Sequence, residues 1–171
     1  EGSLEPRPLV ARGGDGGANA GCRRAVRAGR GAAAGRRSAG LIRGSCRRRA
    51  ARVLRALDQG AAELSVTLTD DDGIAALNAS YRGKARPTDV LSFSLLEGAF
   101  TALRGPLLGE VVIGVDVAAR QARRARRSLD DEVARLLIHG VLHLLGHDHM
   151  REVQARRMRA EQRRLWRVAA A

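Results

Sequence analysis

All four histidines of this 171-residue chain fall in one run of eleven residues, HGVLHLLGHDH, at positions 139, 143, 147 and 149. That run dictates local structure. His139 and His143 are four residues apart, which on an α-helix stacks both imidazoles on one face, one turn apart. Gly146 then offers a residue that enters the left-handed region without a Cβ penalty, so it can end the helix. The turn that follows can present His149 to the same point. Two imidazoles from adjacent turns and a third from beyond the glycine match the demand of zinc for nitrogen ligands at about 2.0–2.1 Å. Three protein ligands leave one position open, the catalytic rather than the structural arrangement. The spacing HxxxHxxGxxH selects His139, His143 and His149 as ligands. It leaves His147 as a supporting or substrate-facing residue.

The same spacing occurs in metzincin proteases, where Glu directly follows the first His as general base. Here that position is Gly140, so a metallohydrolase acting on peptides is the alternative reading, one that lacks its base.

Around this cluster the chain alternates periods. Residues 46–58 place Ala50, Val53, Leu54 and Leu57 at helical spacing before Gly60. Residues 63–69 alternate Leu64, Val66 and Leu68 with polar neighbours, a strand with one buried face. Thr69 and Asp72 resemble a capping box opening a short helix to about Tyr81. Gly83 and Pro87 mark 82–88 as a loop. Strands are expected at 89–95 and 108–115, joined by a hairpin loop or flap over 96–107. Helices follow from Asp116 to about Arg127, from a Ser128–Asp131 capping box to about Leu145, and over 150–167. Expected core positions in these last two are Val133, Leu136, Leu137, Val141 and Leu144, then Val153, Met158, Leu165 and Trp166. The fold class is α/β (α+β), a single domain. It is expected to hold a mixed sheet of four strands or fewer, about five helices, and a metal site on a helix-turn.

Charge divides the chain. The formal net charge is +13, and the first fifty residues carry 12 arginines against Glu1, Glu5 and Asp15. Residues 1–45 therefore read as a disordered basic arm rich in Gly, Ala and Arg, and a candidate for non-native sequence, with the working domain at 46–171. The chain opens on Glu rather than Met, as a fragment, processed form or displaced start would. Cys22 and Cys46 lack CxxC spacing and read as free thiols of a reducing, cytoplasmic compartment. No apolar run reaches the roughly 18–20 residues of a membrane span, and no secretory signal pattern is visible. Arg120, Arg123, Arg124, Arg126 and Arg127 line either an exposed helix face or a backbone-binding patch. Aromatics make up only 2% of the chain, which leaves too few for a base-stacking platform.

Three stretches together resemble one known family. The histidine run, LNASYRGKARPTDVLSF (Leu77–Phe93) and LGEVVIGVDVAARQA (Leu108–Ala122) are similar, in order, to the signature segments of the YbeY family. Glu110 stands where that family more often has Asp. The resemblance implies a zinc-dependent, single-strand-specific endoribonuclease acting in 16S rRNA 3′-end maturation and ribosome quality control. It implies one Zn2+ per chain on His139, His143 and His149, and a functional arginine at Arg82. Lys84 and Arg86 become candidate RNA-backbone contacts, and the small ribosomal subunit with its assembly proteins the expected partners. A non-catalytic ribosome-assembly factor with structural zinc is a further reading. The family usually opens with a short strand, and residues 1–40 show no period that would place it.

Overall fold

The computed structural model describes residues 26–28, 36–96, 105–147 and 152–170. Its elements run β1 (Val26–Ala28), α1 (Arg36–Ala56), β2 (Glu63–Thr69), α2 (Asp71–Arg82), β3 (Val90–Ser94), β4 (Leu107–Gly114), α3 (Val115–Arg124), α4 (Leu129–Leu144) and α5 (Glu152–Ala170). The sheet has four strands in the order β1-β2-β4-β3. β1 pairs parallel to β2 and β2 parallel to β4, while β3 runs antiparallel to β4. The mixed sheet and five helices agree with the sequence expectation.

Two differences concern the first fifty residues. The missing opening strand exists as β1, in register with Val66–Leu68 of β2. At three residues it is too short to show a period, and only a neighbouring strand defines it. Helix α1 also begins at Arg36, ten residues earlier than expected. Its first turns are Arg- and Gly-rich, with no apolar stripe to announce them. Residues 36–45 thus belong to the helix rather than to a disordered arm. The rest of that arm, with Cys22, lies outside the described residues, as do Phe100 and most of the 96–107 connection.

Alternation along the strands gives the sheet two unequal faces. Leu64, Val66 and Leu68 of β2, Val90 of β3 and Val111 and Ile113 of β4 enter the main core with α1, α4 and α5. Leu54, Leu137, Val141 and Leu165, from these three helices, are all 0% exposed. Burial of each such side chain is worth roughly 1.5–3 kcal/mol. The opposite face carries Leu91 and Val112, covered by Ile74 and Leu77 of α2. Val153, expected in the core, is 63% exposed, because α5 turns Met158, Leu165 and Ala169 inward instead.

The helix starts follow from local chemistry. Ser128 caps α4 by accepting the Asp131 amide at 3.0 Å, as the capping box predicts. Helix α2 is capped by Asp70, which accepts the Gly73 amide at 2.8 Å, rather than by the Thr69–Asp72 pair. Asp is the stronger cap, and the carboxylate also complements the helix dipole. Arg49 of α1 then bridges Asp130 at 2.8 Å and Asp131 at 3.0 Å, tying α1 to the start of α4.

Candidate metal centre

Helix α4 lies directly on the sheet at Gly140. A Cβ there would stand 2.7 Å from Val111 Cγ1 and 3.1 Å from Ser92 Oγ. Only glycine allows this approach, and Ser94 Oγ fastens the next turn by donating to the Leu144 carbonyl at 3.0 Å. With residue 140 against the strands, His139 and His143 are rotated off the sheet onto one flank of the helix. Their Nε2 atoms stand 3.2 Å apart, and their rings meet edge to face at 80°. Two nitrogens at 2.0–2.1 Å from one tetrahedral ion would be about 3.3 Å apart. The pair is therefore already set at the separation one zinc ion requires. Both rings are half-buried.

The far nitrogen of His139 is also fixed. Gln162 Nε2, from α5, lies 2.7 Å from His139 Nδ1, and turning the amide over would put its oxygen there instead. The two amide orientations have opposite consequences. Amide nitrogen donating to Nδ1 would put the ring proton on Nε2. Amide oxygen accepting from Nδ1–H leaves the Nε2 lone pair for a metal, so this is the orientation a metal site needs. No sequence signal distinguished Gln162, since a glutamine in an Arg-rich helix carries no pattern of its own.

After Leu144 the helix ends as the glycine predicts. Gly146 takes φ +81°; its amide donates to the His143 carbonyl, and the His147 amide to the Leu142 carbonyl, both at 3.0 Å. This pairing is a Schellman motif, which turns the chain back across the helix end. His147 stands half-buried on that turn, near Glu161 of α5. The Glu161 carboxyl is held below the ordinary carboxylate range, chiefly by its hydrogen bond to Arg164, with His147 adding a smaller pull. His149 lies outside the described residues. Among the described residues no third His, Cys, Asp or Glu joins the pair.

Arg82 is the last residue of α2, on the sheet face opposite α4. It is exposed, and Gly83 caps the helix behind it at φ +66°. Among the described residues the Arg82, Lys84 and Arg86 side chains form no ion pair, so the loop carries three free cations. Buried Asn78 shapes the loop, donating from Nδ2 to the Arg86 carbonyl at 2.8 Å. Tyr81 packs on Phe93 at 4.7 Å between ring centroids, which anchors the end of α2 over β3. Asp89 and Ser92 are structural. Asp89 accepts from the Val90 amide at 2.9 Å and from Gln121 at 3.1 Å, and Ser92 faces Gly140. Glu110 accepts from Thr67 Oγ1 at 2.6 Å across the sheet. In the 120–127 arginine segment, Arg120 grips Asp71 at 2.8 and 3.0 Å and Arg127 pairs with buried Glu132. Arg123, Arg124 and Arg126 remain exposed.

The family model for Endoribonuclease YbeY matches residues 42–169. The chain belongs to the YbeY family. An Endoribonuclease YbeY from an Anaeromyxobacter species is 51% identical over 122 residues, covering 71% of this chain and 62% of that one. The chain thus matches about three fifths of that relative's length. The Geobacter metallireducens YbeY protein is 44% identical, covering 71% of this chain and 83% of its own length. Among solved structures, the solution structure of TM1509 from Thermotoga maritima superposes with a TM-score of 0.55 at 25% identity, covering 86% of this chain and 89% of that one. Gly140 also argues against the protease alternative. A glutamate after His139 would be driven into Val111, in the helix–sheet seam, rather than toward the histidine pair. No helix of the described residues is long and apolar enough to cross a membrane.

Proposed function

We propose that this protein is a zinc-dependent endoribonuclease that cuts single-stranded RNA, acting on the 3′ end of 16S rRNA and in ribosome quality control. The observation that supports it most is the His139–His143 pair, with its Nε2 atoms 3.2 Å apart and Gln162 on the outer nitrogen of His139. His139 and His143 would hold the ion, with His149 as third ligand. The ion would supply Lewis-acid chemistry, activating water and polarising a phosphoryl oxygen.

The chain's own residues do the rest. With its amide turned so that the oxygen accepts, Gln162 would hold the His139 proton on Nδ1. The Schellman turn at Gly146 ends the helix and places His147 on its far side. Arg82, with five fixed donors and no partner among the described residues, is suited to clamp a phosphodiester and offset charge as it builds. Lys84 and Arg86, on the same Asn78-pinned loop, extend that positive surface. A net charge of +13 with 2% aromatics favours holding RNA by its backbone rather than by stacked bases. The small ribosomal subunit and its assembly proteins are the proposed partners, and the cytoplasm the proposed compartment.

The test is cleavage of a labelled 16S 3′-end precursor by wild type, Arg82→Ala and Arg82→Lys. Loss of one transition-state donor should lower kcat roughly 100–1,000-fold in Arg82→Ala, with partial recovery in Arg82→Lys. Full activity of Arg82→Ala would contradict the assigned role. Ribosome binding by an inactive His143→Ala protein, with no cleavage by wild type, would favour the assembly-factor reading.

A further inference from the structure

An open cavity of about 550 Å³ lies between α4 and α5, with Arg127 at its edge. Gln162, the hydrogen-bond partner of His139, stands in its wall, as does Ile138 beside that histidine. Cavity and histidine pair therefore share a wall. Most of the remainder is cationic: Arg127, Arg135, Arg159, Arg163 and Arg167, with Trp166 among them.

These arginines are not equivalent. Arg127 and Arg135 share buried Glu132, and Arg135 also donates to Gln121 at 3.2 Å. Arg159, Arg163 and Arg167 recur every four residues, one stripe along α5 about 12 Å long at 1.5 Å per residue. All three are exposed, and among the described residues none of them has an ion pair or a hydrogen bond. The two glutamates of α5 do not neutralise them. Glu152 pairs with Arg156, Glu161 pairs with Arg164, and neither lines the cavity. Asp131 is the carboxylate in the wall, and Arg49 already holds it at 3.0 Å. Like charges one turn apart repel and weaken a helix. Here that repulsion is aimed into a concave space rather than spread over open surface.

The geometry points to this cavity as a phosphodiester-binding subsite for the RNA strand that flanks the histidine pair. Three unpaired guanidiniums in a line match a chain of phosphates, each able to take a bidentate grip. Trp166 adds a flat apolar side chain to the lining, with Arg49 lying 5.9 Å from its ring centroid. The inference rests on the endoribonuclease reading and extends it. The histidine pair takes the phosphate that reacts, and α5 holds the strand beyond it.

The experiment measures cleavage of a labelled single-stranded RNA by the zinc-loaded protein across a salt series. Three proteins are compared: wild type, Arg159→Gln/Arg163→Gln/Arg167→Gln, and a control, Arg48→Gln/Arg55→Gln/Arg157→Gln. The control removes equal charge from exposed arginines that do not line the cavity. Each phosphate contact to a single strand contributes about 0.7 to the slope of log affinity against log salt. The α5 triple variant should therefore lose about 2 from that slope. Its KM should rise roughly tenfold with kcat retained, and its Tm should hold or rise slightly as the repulsion along α5 is relieved. The control should keep most of the slope. Equal losses in both triples, or none in the α5 triple, would overturn the subsite while leaving the endoribonuclease reading intact. Wild type that neither binds nor cuts RNA would overturn that reading and the subsite with it. Thermal protection by inorganic phosphate that disappears in the α5 triple, without any change in KM for RNA, would assign a small-anion site and also overturn the subsite.

Discussion

Replacing Gly140 with alanine tests whether the histidine pair is placed by direct contact between helix and sheet. The added Cβ would lie 2.7 Å from Val111 Cγ1 and 3.1 Å from Val111 Cγ2. Carbon atoms prefer about 3.5–4.0 Å, so the closer contact is roughly 1 Å too short. Val111 cannot easily give way. It is 0% exposed on a strand between two others, and its β-branched side chain is restricted at χ1. Overpacking of this kind costs about 1–3 kcal/mol. Against it stands the gain of up to about 1 kcal/mol when alanine replaces glycine inside a helix. The clash wins, with a net loss of about 1 kcal/mol and a fall in Tm of roughly 3–6 °C. Val111→Ala alone should cost about 2–3 kcal/mol through the void it leaves. In the double variant the void receives the new methyl, so the losses should fall short of their sum by at least about 1 kcal/mol. Denaturant unfolding of the four proteins measures this coupling. Additive losses, or a Gly140→Ala protein more stable than wild type, would refute the seam.

Three further outcomes are expected. Gln162→Leu should weaken zinc binding roughly 10–100-fold, as loss of a ligand's supporting partner does, while Tm of the metal-free protein changes little; competition with a chromogenic chelator reads the affinity. The Cys46 thiol, pushed up to about 12 chiefly by burial and next by Asp130, should not react with a thiol reagent at pH 8 in the native protein and should react at once in denaturant. Asp131 is held below the ordinary carboxylate range by Ser128 and then Arg49, so its charged form stabilises the fold at neutral pH. That contribution is lost as the pH falls below about 4; the Tm difference between wild type and Asp131→Asn should shrink across that range, and a constant difference would contradict it.

The sequence carried the site where chemistry and backbone geometry coincide. HxxxH on a helix, closed by a glycine, specifies two imidazoles on one flank and a left-handed turn, and both are present. The core of α4 and the alternation of β2 were equally plain, because burial there follows a simple period. What was hidden depends on partners distant in the chain. β1 is a strand only because β2 lies beside it. Gln162 matters only because α5 passes the outer nitrogen of His139. Gly140 read as the absence of a protease base, whereas in the fold it is the contact that brings α4 onto Val111. Val153 fits a helical apolar pattern yet faces water, since α5 meets the core through Met158, Leu165 and Ala169.

The central claim is that the pair binds a metal on which RNA cleavage depends. The most direct measurement is the metal content of the purified chain, taken alongside cleavage of a labelled single-stranded RNA before chelation, after it, and after zinc is returned. The account predicts one zinc ion per chain, activity lost with the chelator and restored by zinc, and neither metal nor activity in the His139→Ala/His143→Ala protein. Stoichiometric zinc in that double variant, or cleavage indifferent to the chelator, would contradict it.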